Sequence, residues 1–348
     1  MNRFLPEPAD PQALNPDGPA PERGPLGVML VNLGTPDAAT PAAVRRYLAE
    51  FLSDPRVVEL PRWLWQIILR LFVLTRRPAV IAPKYQSIWM ARGSPLMVHG
   101  EDLRDAVARS LTDQGVPVRV ALAMRYGRPA IDEQLQELRA AGCGRILVVP
   151  LYPQYASGTT GTVVDAVNAS LGRMRHQPTL RFLDRFHQAP AYQDALYHAV
   201  QGHWQRSGKP DRLLLSFHGL PQEAVRRGDP YFRECMQTAQ TLRGRLGADG
   251  ALLHVAFQSR FGGAPWLQPY TQPTLESWAR EGIETVDVMC PGFVADCLET
   301  LEEIDMGCRE AFLEAGGKVF RYIPCLNAES RWVDGFARLL VDNLAGWR

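Results

Sequence analysis

The sequence predicts an α/β protein of two similar domains, each a parallel sheet covered by helices, with the two sheets facing one another across a cleft. Three observations carry this. Short apolar runs recur along the chain and each breaks at a turn containing Gly or Pro, the order expected where a buried strand meets its loop. Between two of them lies AIDEQLQELRAAG, whose Ile131, Leu135 and Leu138 have helical spacing, so strand, helix and strand alternate as in a βαβ unit. The alternation then repeats in the second half, where QSRFG at 258–262 echoes MRYG at 124–127, each with an Arg and an aromatic just past a strand. At 348 residues the chain holds two domains on a prior of about 150 residues each, with cores that need no disulfide staples.

Residues 1–26 form an expected proline-rich mobile extension: seven prolines fall in the first 25 residues, and no continuous apolar core marks a signal peptide. The first domain is expected over 27–170. Its first strand is GVMLVNLGTP at 27–36, its second VPVRVALAMRYGRP at 116–129, its third GRILVVPLYP at 144–153, and Gly142 is placed to end the helix between the last two. Before the second strand comes WLWQIILRLFVL, Trp63 to Leu74, apolar on nearly every side but short of the ~20 residues that cross a bilayer. Three meanings stay open for it: a buried core helix, a lip over an apolar pocket, or an element dipping into a membrane surface with Arg70, Arg76 and Arg77 at the headgroups. The turn YASGTTGT at 155–162 either cups an anion with its backbone amides or simply caps the helix after it.

A linking helical region is expected over 171–205 and the second domain over 206–320. Its strands are DRLLLSFHGLP at 211–221, ALLHVAFQSRFGG at 251–263 and IETVDVMCPGF at 283–293, with a short helix over 274–281. Residues 321–348 are expected to return to the first domain. Right-handed crossovers put the carboxyl ends of the strands on one edge of each sheet, and ligands of open α/β sheets bind outside that edge.

Composition removes several function classes. Lys plus Arg is 38 against 37 for Asp plus Glu, and no basic block occurs, so no nucleic-acid partner is expected. The 46% hydrophobic and 22% charged content is that of a soluble globular protein. Six scattered cysteines without a CxxC pair specify neither a zinc knuckle nor a thioredoxin-type centre and read as reduced thiols in the cytosol. The nucleotide fingerprints GxGxxG and GxxxxGK[ST] and the hydrolase elbow GxSxG are absent.

The chemistry therefore rests on the strand ends. His218 follows an apolar strand in SFHGLP, where an imidazole serves as a base near neutral pH or as a metal ligand, or bonds a loop carbonyl. In CPGFVADCLETLEEID a helix is expected from about Val294, placing Asp296, Glu299 and Glu303 on one face and Glu302 off it. Leu33, Ile88, Trp89, Phe217, Trp266 and Leu267 are bulky and apolar near the turns, with Ser94, Arg125, Tyr126 and Arg260 as polar hooks. That mixture suits a large flat apolar ligand carrying carboxylates, or ordinary packing between domains.

Seven stretches together resemble the ferrochelatases: VNLGTPD at 31–37, the YQSIW and GSPL run from Tyr85 to Leu96, MRYGRP at 124–129, LYPQYASGTTG at 151–161, LSFHGLP at 215–221, Phe257 to Trp266, and CPGFVADCLETLEEI at 290–304. The resemblance implies two Rossmann-like domains in a chelatase-like arrangement with no bound nucleotide. It implies insertion of ferrous iron into protoporphyrin IX, the last step of haem biosynthesis, with release of two protons. His218 and Glu299 are implied on opposite walls as the catalytic and metal-binding pair, Asp296 and Glu303 as a relay, and Leu33, Ile88, Ser94, Arg125, Tyr126 and Trp266 against the porphyrin. A lip near 60–96 and peripheral contact with the cytoplasmic face of the inner membrane are implied as well. Iron is a substrate, and no organic cofactor or iron-sulfur cluster is expected, since Ser157 stands where cluster-bearing relatives have a cysteine. Leu33 stands where coproporphyrin enzymes carry a Tyr, which favours protoporphyrin, and Cys297 stands where several relatives carry a histidine. A monomer is favoured. The other readings are a cobalt chelatase acting on a tetrapyrrole precursor and a porphyrin or haem carrier without chemistry.

Overall fold

A computed structural model describes residues 24–260 and 262–347, so all but the last three residues of the expected extension lie outside it. The first sheet has β1 (Leu26–Gly34), β2 (Val118–Tyr126), β3 (Arg145–Pro150) and β4 (Thr179–Phe182), all parallel in the order β2-β1-β3-β4. The second has β5 (Arg212–His218), β6 (Leu253–Gln258), β7 (Thr285–Met289) and β8 (Val319–Ile323), parallel in the equivalent order β6-β5-β7-β8. Two edge strands escaped the pattern reading. β4 falls inside the stretch 171–205, expected as a linking helical region, and β8 spans the expected boundary at 320. Both are four or five residues long and partly exposed, so neither carries the continuous apolar run that marks a strand buried on two faces.

In the first half the helices are α1 (Pro41–Phe51), α2 (Arg62–Ile68), α3 (Leu74–Ile88), α4 (Pro95–Asp113), α5 (Ile131–Ala140) and α6 (Thr162–Leu171). Thr40 and Ser94 cap α1 and α4, each followed by a proline whose missing N–H is no loss in a first turn. In β1 alternate residues serve opposite faces: Met29 and Val31 pack with α5 and α6, while Val28 and Leu30 join a core that reaches the second sheet. That shared core runs through α7 (Pro190–Ser207) and, past α8 (Gln222–Arg226), α9 (Tyr231–Arg245), α10 (Thr271–Arg280) and α11 (Arg309–Glu314), through the last helix, α12 (Ser330–Asn343). Trp332 and Phe336 of α12 stack beside Phe186, and α12 lies against both α4 and α7. The C-terminus thereby ties the two sheets into one frame.

The apolar segment is not a buried core helix. It comprises α2, a π-helical turn over Leu69–Val73 and the start of α3; Trp65, Leu69 and Leu74 point inward, whereas Trp63 is 71% exposed, Leu71 62% and Phe72 60%. Arg70, Arg76 and Arg77 are exposed along the same stretch. Among the described residues no helix is long and apolar enough to cross a membrane.

Candidate active site

In the second sheet the chain crosses from β5 to β6 and then back past β5 to β7, so the strand order reverses between β5 and β7, where an open parallel sheet leaves a crevice at its carboxyl edge. His218 is the last residue of β5, and the segment after β7 supplies the acids. A cleft of about 420 Å³ lies there. The second domain lines it with His218, Ser259, Arg260, Leu298, Glu299, Glu302 and Glu303, and α3 closes it from the first domain with Arg77, Val80, Ile81 and Lys84. His218 and Glu299 thus share one cleft, reaching it from two elements of the same domain.

The orientation of His218 follows from one bond. Its Nδ1 lies 2.7 Å from the Gly219 carbonyl oxygen, and because a carbonyl only accepts, Nδ1 is the donor, and the tautomer this bond selects has its lone pair on Nε2. Gly219 is required by crowding: a Cβ there would lie 2.7 Å from the Gln258 carbonyl oxygen and 3.0 Å from the Trp266 ring. Trp266 therefore sits against the turn behind the histidine.

The acids stand on a π-helix, Glu299–Cys308. The helix begins after Leu298 rather than near Val294, and Glu299, Glu302 and Glu303 all line the cleft. Glu302, expected off the face, forms an ion pair with Lys84 of α3 at 2.8 Å. Glu303 accepts the Ser259 N–H at 2.8 Å and the Ser259 hydroxyl, and Ser259 holds a left-handed φ of 63° to make both bonds. Burial raises the Glu303 carboxyl above the usual carboxylate range; the Ser259 bonds and His218 pull it down, and the Glu299 charge adds to the rise. Burial first, and then the Glu299 charge, push Cys297 and Tyr85 well above their ordinary ranges, so Cys297, buried beside Leu96 and Ala295, is a neutral thiol rather than a thiolate ligand.

Other expected residues are placed elsewhere. Asp296 precedes the helix and is buried, accepting hydrogen bonds from Tyr322 Oη at 2.6 Å, Asn327 Nδ2 at 2.7 Å and Thr300 Oγ1 at 3.0 Å, so it braces the turn and does not line the cleft as a relay member would. Ser94 is buried as the α4 cap, and Leu33 and Ile88 are half-buried near α3. Tyr126 is 1% exposed, its hydroxyl donating to Asp54 at 2.9 Å, and Arg125 pairs with the same carboxylate at 2.5 Å. The turn at 155–162 meets an anion of the chain's own: the Ser157 N–H donates to Asp229 at 2.7 Å.

The family model described as ferrochelatase matches residues 25–344. The chain belongs to the ferrochelatase family. It is 55% identical to the ferrochelatase of Bordetella pertussis (strain Tohama I) across 99% of this chain and 95% of that one. It is 55% identical to the ferrochelatase of Azoarcus sp. (strain BH72) across 92% of this chain and 88% of that one. Among solved structures, SirB from Bacillus subtilis with Fe3+ superposes at a TM-score of 0.54 with 12% identity, covering 93% of this chain and 97% of that one. The sirohydrochlorin chelatase SirB of Bacillus subtilis subspecies spizizenii, in complex with cobalt, gives 0.52 with 11% identity, covering 92% and 97%. At such identity these two establish the fold alone.

Iron is a substrate of ferrochelatases. Among the described residues no three His, Cys, Asp or Glu side chains converge as a ready metal cage, and the six cysteines are buried free thiols. Pattern reading missed Ser259, Lys84, Asp54 and Thr162. Asp54 had no local signal; its importance comes from contacts with Arg125, Tyr126 and Thr162 far along the chain. Burial opposes its ionisation, but hydrogen bonds from Thr162, the Arg56 backbone and Tyr126, with the Arg125 charge, outweigh it and hold the carboxyl below its usual range. Asp54→Ala strands these groups and is expected to destabilise the fold by about 3 kcal/mol, measured as the shift in denaturant midpoint at unchanged slope.

Proposed function

We propose that this cleft is where the chain inserts ferrous iron into protoporphyrin IX, with His218 and Glu299 as the reacting pair. The free-base macrocycle carries two pyrrolic N–H groups, and the ion replaces both protons, so Fe2+ plus porphyrin gives haem plus two protons. His218 presents Nε2 as a proton acceptor or an iron ligand, and Glu299 presents a carboxylate that offsets the ion's charge and takes a proton. Glu303, held by Ser259, carries protons or metal onward along the helix. The observation that carries this reading is the Nδ1 bond to Gly219, which makes Nδ1 the donor and so puts the lone pair of the neutral ring on His218 Nε2, in a cleft shared with three glutamates. Ile88, Trp266 and Leu33 are proposed as apolar contacts for the macrocycle, Ser94, Arg125 and Tyr126 as support for that wall, and residues of a single chain supply the whole site.

The experiment is an anaerobic assay of the purified chain with Fe2+ and protoporphyrin IX. Haem formation with two protons released per haem is expected, without stoichiometric acid-labile sulfide in the protein. Binding without turnover would identify a carrier. Preference for cobalt and a less oxidised tetrapyrrole in competition would identify the other chelatase activity.

The exposed apolar face is proposed to rest on the cytoplasmic face of the inner membrane beside the cleft. Trp63, Leu71 and Phe72 would bury in the headgroup region while Arg70 and Arg76 meet phosphates. Expected is reversible binding to anionic vesicles, released by carbonate without detergent. The double variant Trp63→Ser, Phe72→Ser should weaken partition at least about tenfold, since each large side chain contributes roughly 1.5–3 kcal/mol when fully buried. Unchanged partition would contradict the proposal.

A further inference from the structure

One buried residue supports both members of the reacting pair. The main-chain carbonyl of Gln258 accepts the Gly219 N–H at 2.7 Å, and the Gly219 carbonyl is the group that holds His218 Nδ1. The Gln258 side chain turns the other way, Nε2 donating to the Glu299 carbonyl at 2.8 Å, in the first turn of the π-helix that carries the acids. Gln258 is only 5% exposed and its amide is locked. Ser216 Oγ donates to Oε1 at 2.7 Å, with Thr271 Oγ1 a further 2.7 Å away to donate to Ser216, and Cys290 Sγ approaches Oε1 at 3.6 Å. With Oε1 claimed by donors, Nε2 is the end presented to Glu299. An amide suits the place because it accepts at one end and donates at the other, whereas a carboxylate would offer the Glu299 carbonyl no donor.

We infer that Gln258 is a positioning residue for metal insertion, fixing His218 and Glu299 relative to one another through its backbone and its side chain. The polar row Thr271, Ser216, Gln258 ends on the helix turn of a reacting residue. It contributes to stability as well, since removing one partner leaves the Glu299 carbonyl buried without its donor, so turnover has to be read per folded protein. Its weight in catalysis comes from position, because a displacement of about 1 Å at a reacting group lowers rate about 10²-fold. The inference rests on the assignment of His218 and Glu299 as the pair.

The test compares Gln258→Met, Ser216→Ala and their double variant, with His218→Ala in parallel, in the full chain. Turnover per folded protein, KM for iron and the dissociation constant for protoporphyrin IX by fluorescence quenching are measured. Gln258→Met is expected to lower kcat at least about tenfold with porphyrin affinity kept within about twofold. Ser216→Ala should lower kcat about threefold, and the double variant should match Gln258→Met, because Ser216 acts only through Gln258. Unchanged kcat in Gln258→Met, a parallel loss of porphyrin affinity, or additive losses would overturn the inference. Should Gln258→Met fail to fold, Ser216→Ala decides: a kcat loss at unchanged porphyrin affinity supports it, and wild-type kcat overturns it. Retained turnover in His218→Ala would remove the pair and this inference with it. An inactive His218→Ala beside a fully active Gln258→Met would remove the Gln258 role alone.

Discussion

His218→Ala is expected to leave a folded chain that still quenches protoporphyrin fluorescence but inserts iron at least about 10²-fold more slowly, the lower range for loss of a positioned base. The reason is local. β5 delivers the imidazole to the switch point, the Gly219 carbonyl takes the Nδ1 proton, and Nε2 is left as the only lone pair the ring offers. Alanine removes that lone pair and disturbs little else, since the ring is only partly buried and touches Phe293 edge-on at 6.4 Å between centroids. The contacts proposed for the porphyrin are apolar and do not include the imidazole, so binding should persist. Stopped-flow insertion beside equilibrium quenching separates the two quantities. Insertion near the wild-type rate would dismiss the imidazole from the chemistry.

Glu299→Gln is expected to reduce insertion by a similar factor, about 10²-fold, with thermal stability nearly unchanged. Glutamine keeps the volume but neither accepts a proton nor offsets the charge of the incoming ion. The comparison with Glu302→Gln is instructive. Glu302 lines the same cleft but is paired with Lys84 across its mouth, so its loss should slow insertion only a few-fold. Single-turnover insertion rates of both variants, with melting curves, check this. Equal losses would mean that the π-helix does not single out Glu299.

How much of this was legible in the sequence depends on the range of each signal. Six of the eight strands were readable because each is an apolar run broken by a turn residue; TLRF of β4 and VFRYI of β8 lie at sheet edges, partly exposed, and lack that contrast. His218 was readable because a polar imidazole ending an apolar strand is a local contrast. The acids were readable as a group, but not their face: Glu302 lines the cleft beside Glu299 and Glu303, where Lys84 of α3, far along the chain, pairs with it. Asp296 looks like its neighbours in sequence, and only Tyr322 and Asn327, from distant chain, make it structural. Composition left the Trp63 to Leu74 segment undecided because exposure is a property of what packs beneath it, here Trp65 and Leu69 but neither Trp63 nor Phe72.

The central claim is that one cleft brings His218 Nε2 and the Glu299 carboxylate to the pyrrole nitrogens of the macrocycle. A crystal structure of the chain with metal-free protoporphyrin IX tests it most directly. The ring is expected at the carboxyl end of β5, its nitrogens facing His218 and Glu299 and its apolar edge toward α3. A macrocycle bound elsewhere, such as the groove between α4 and α12 lined by Arg109 and Arg338, or seated with His218 turned away from its nitrogens, would contradict it.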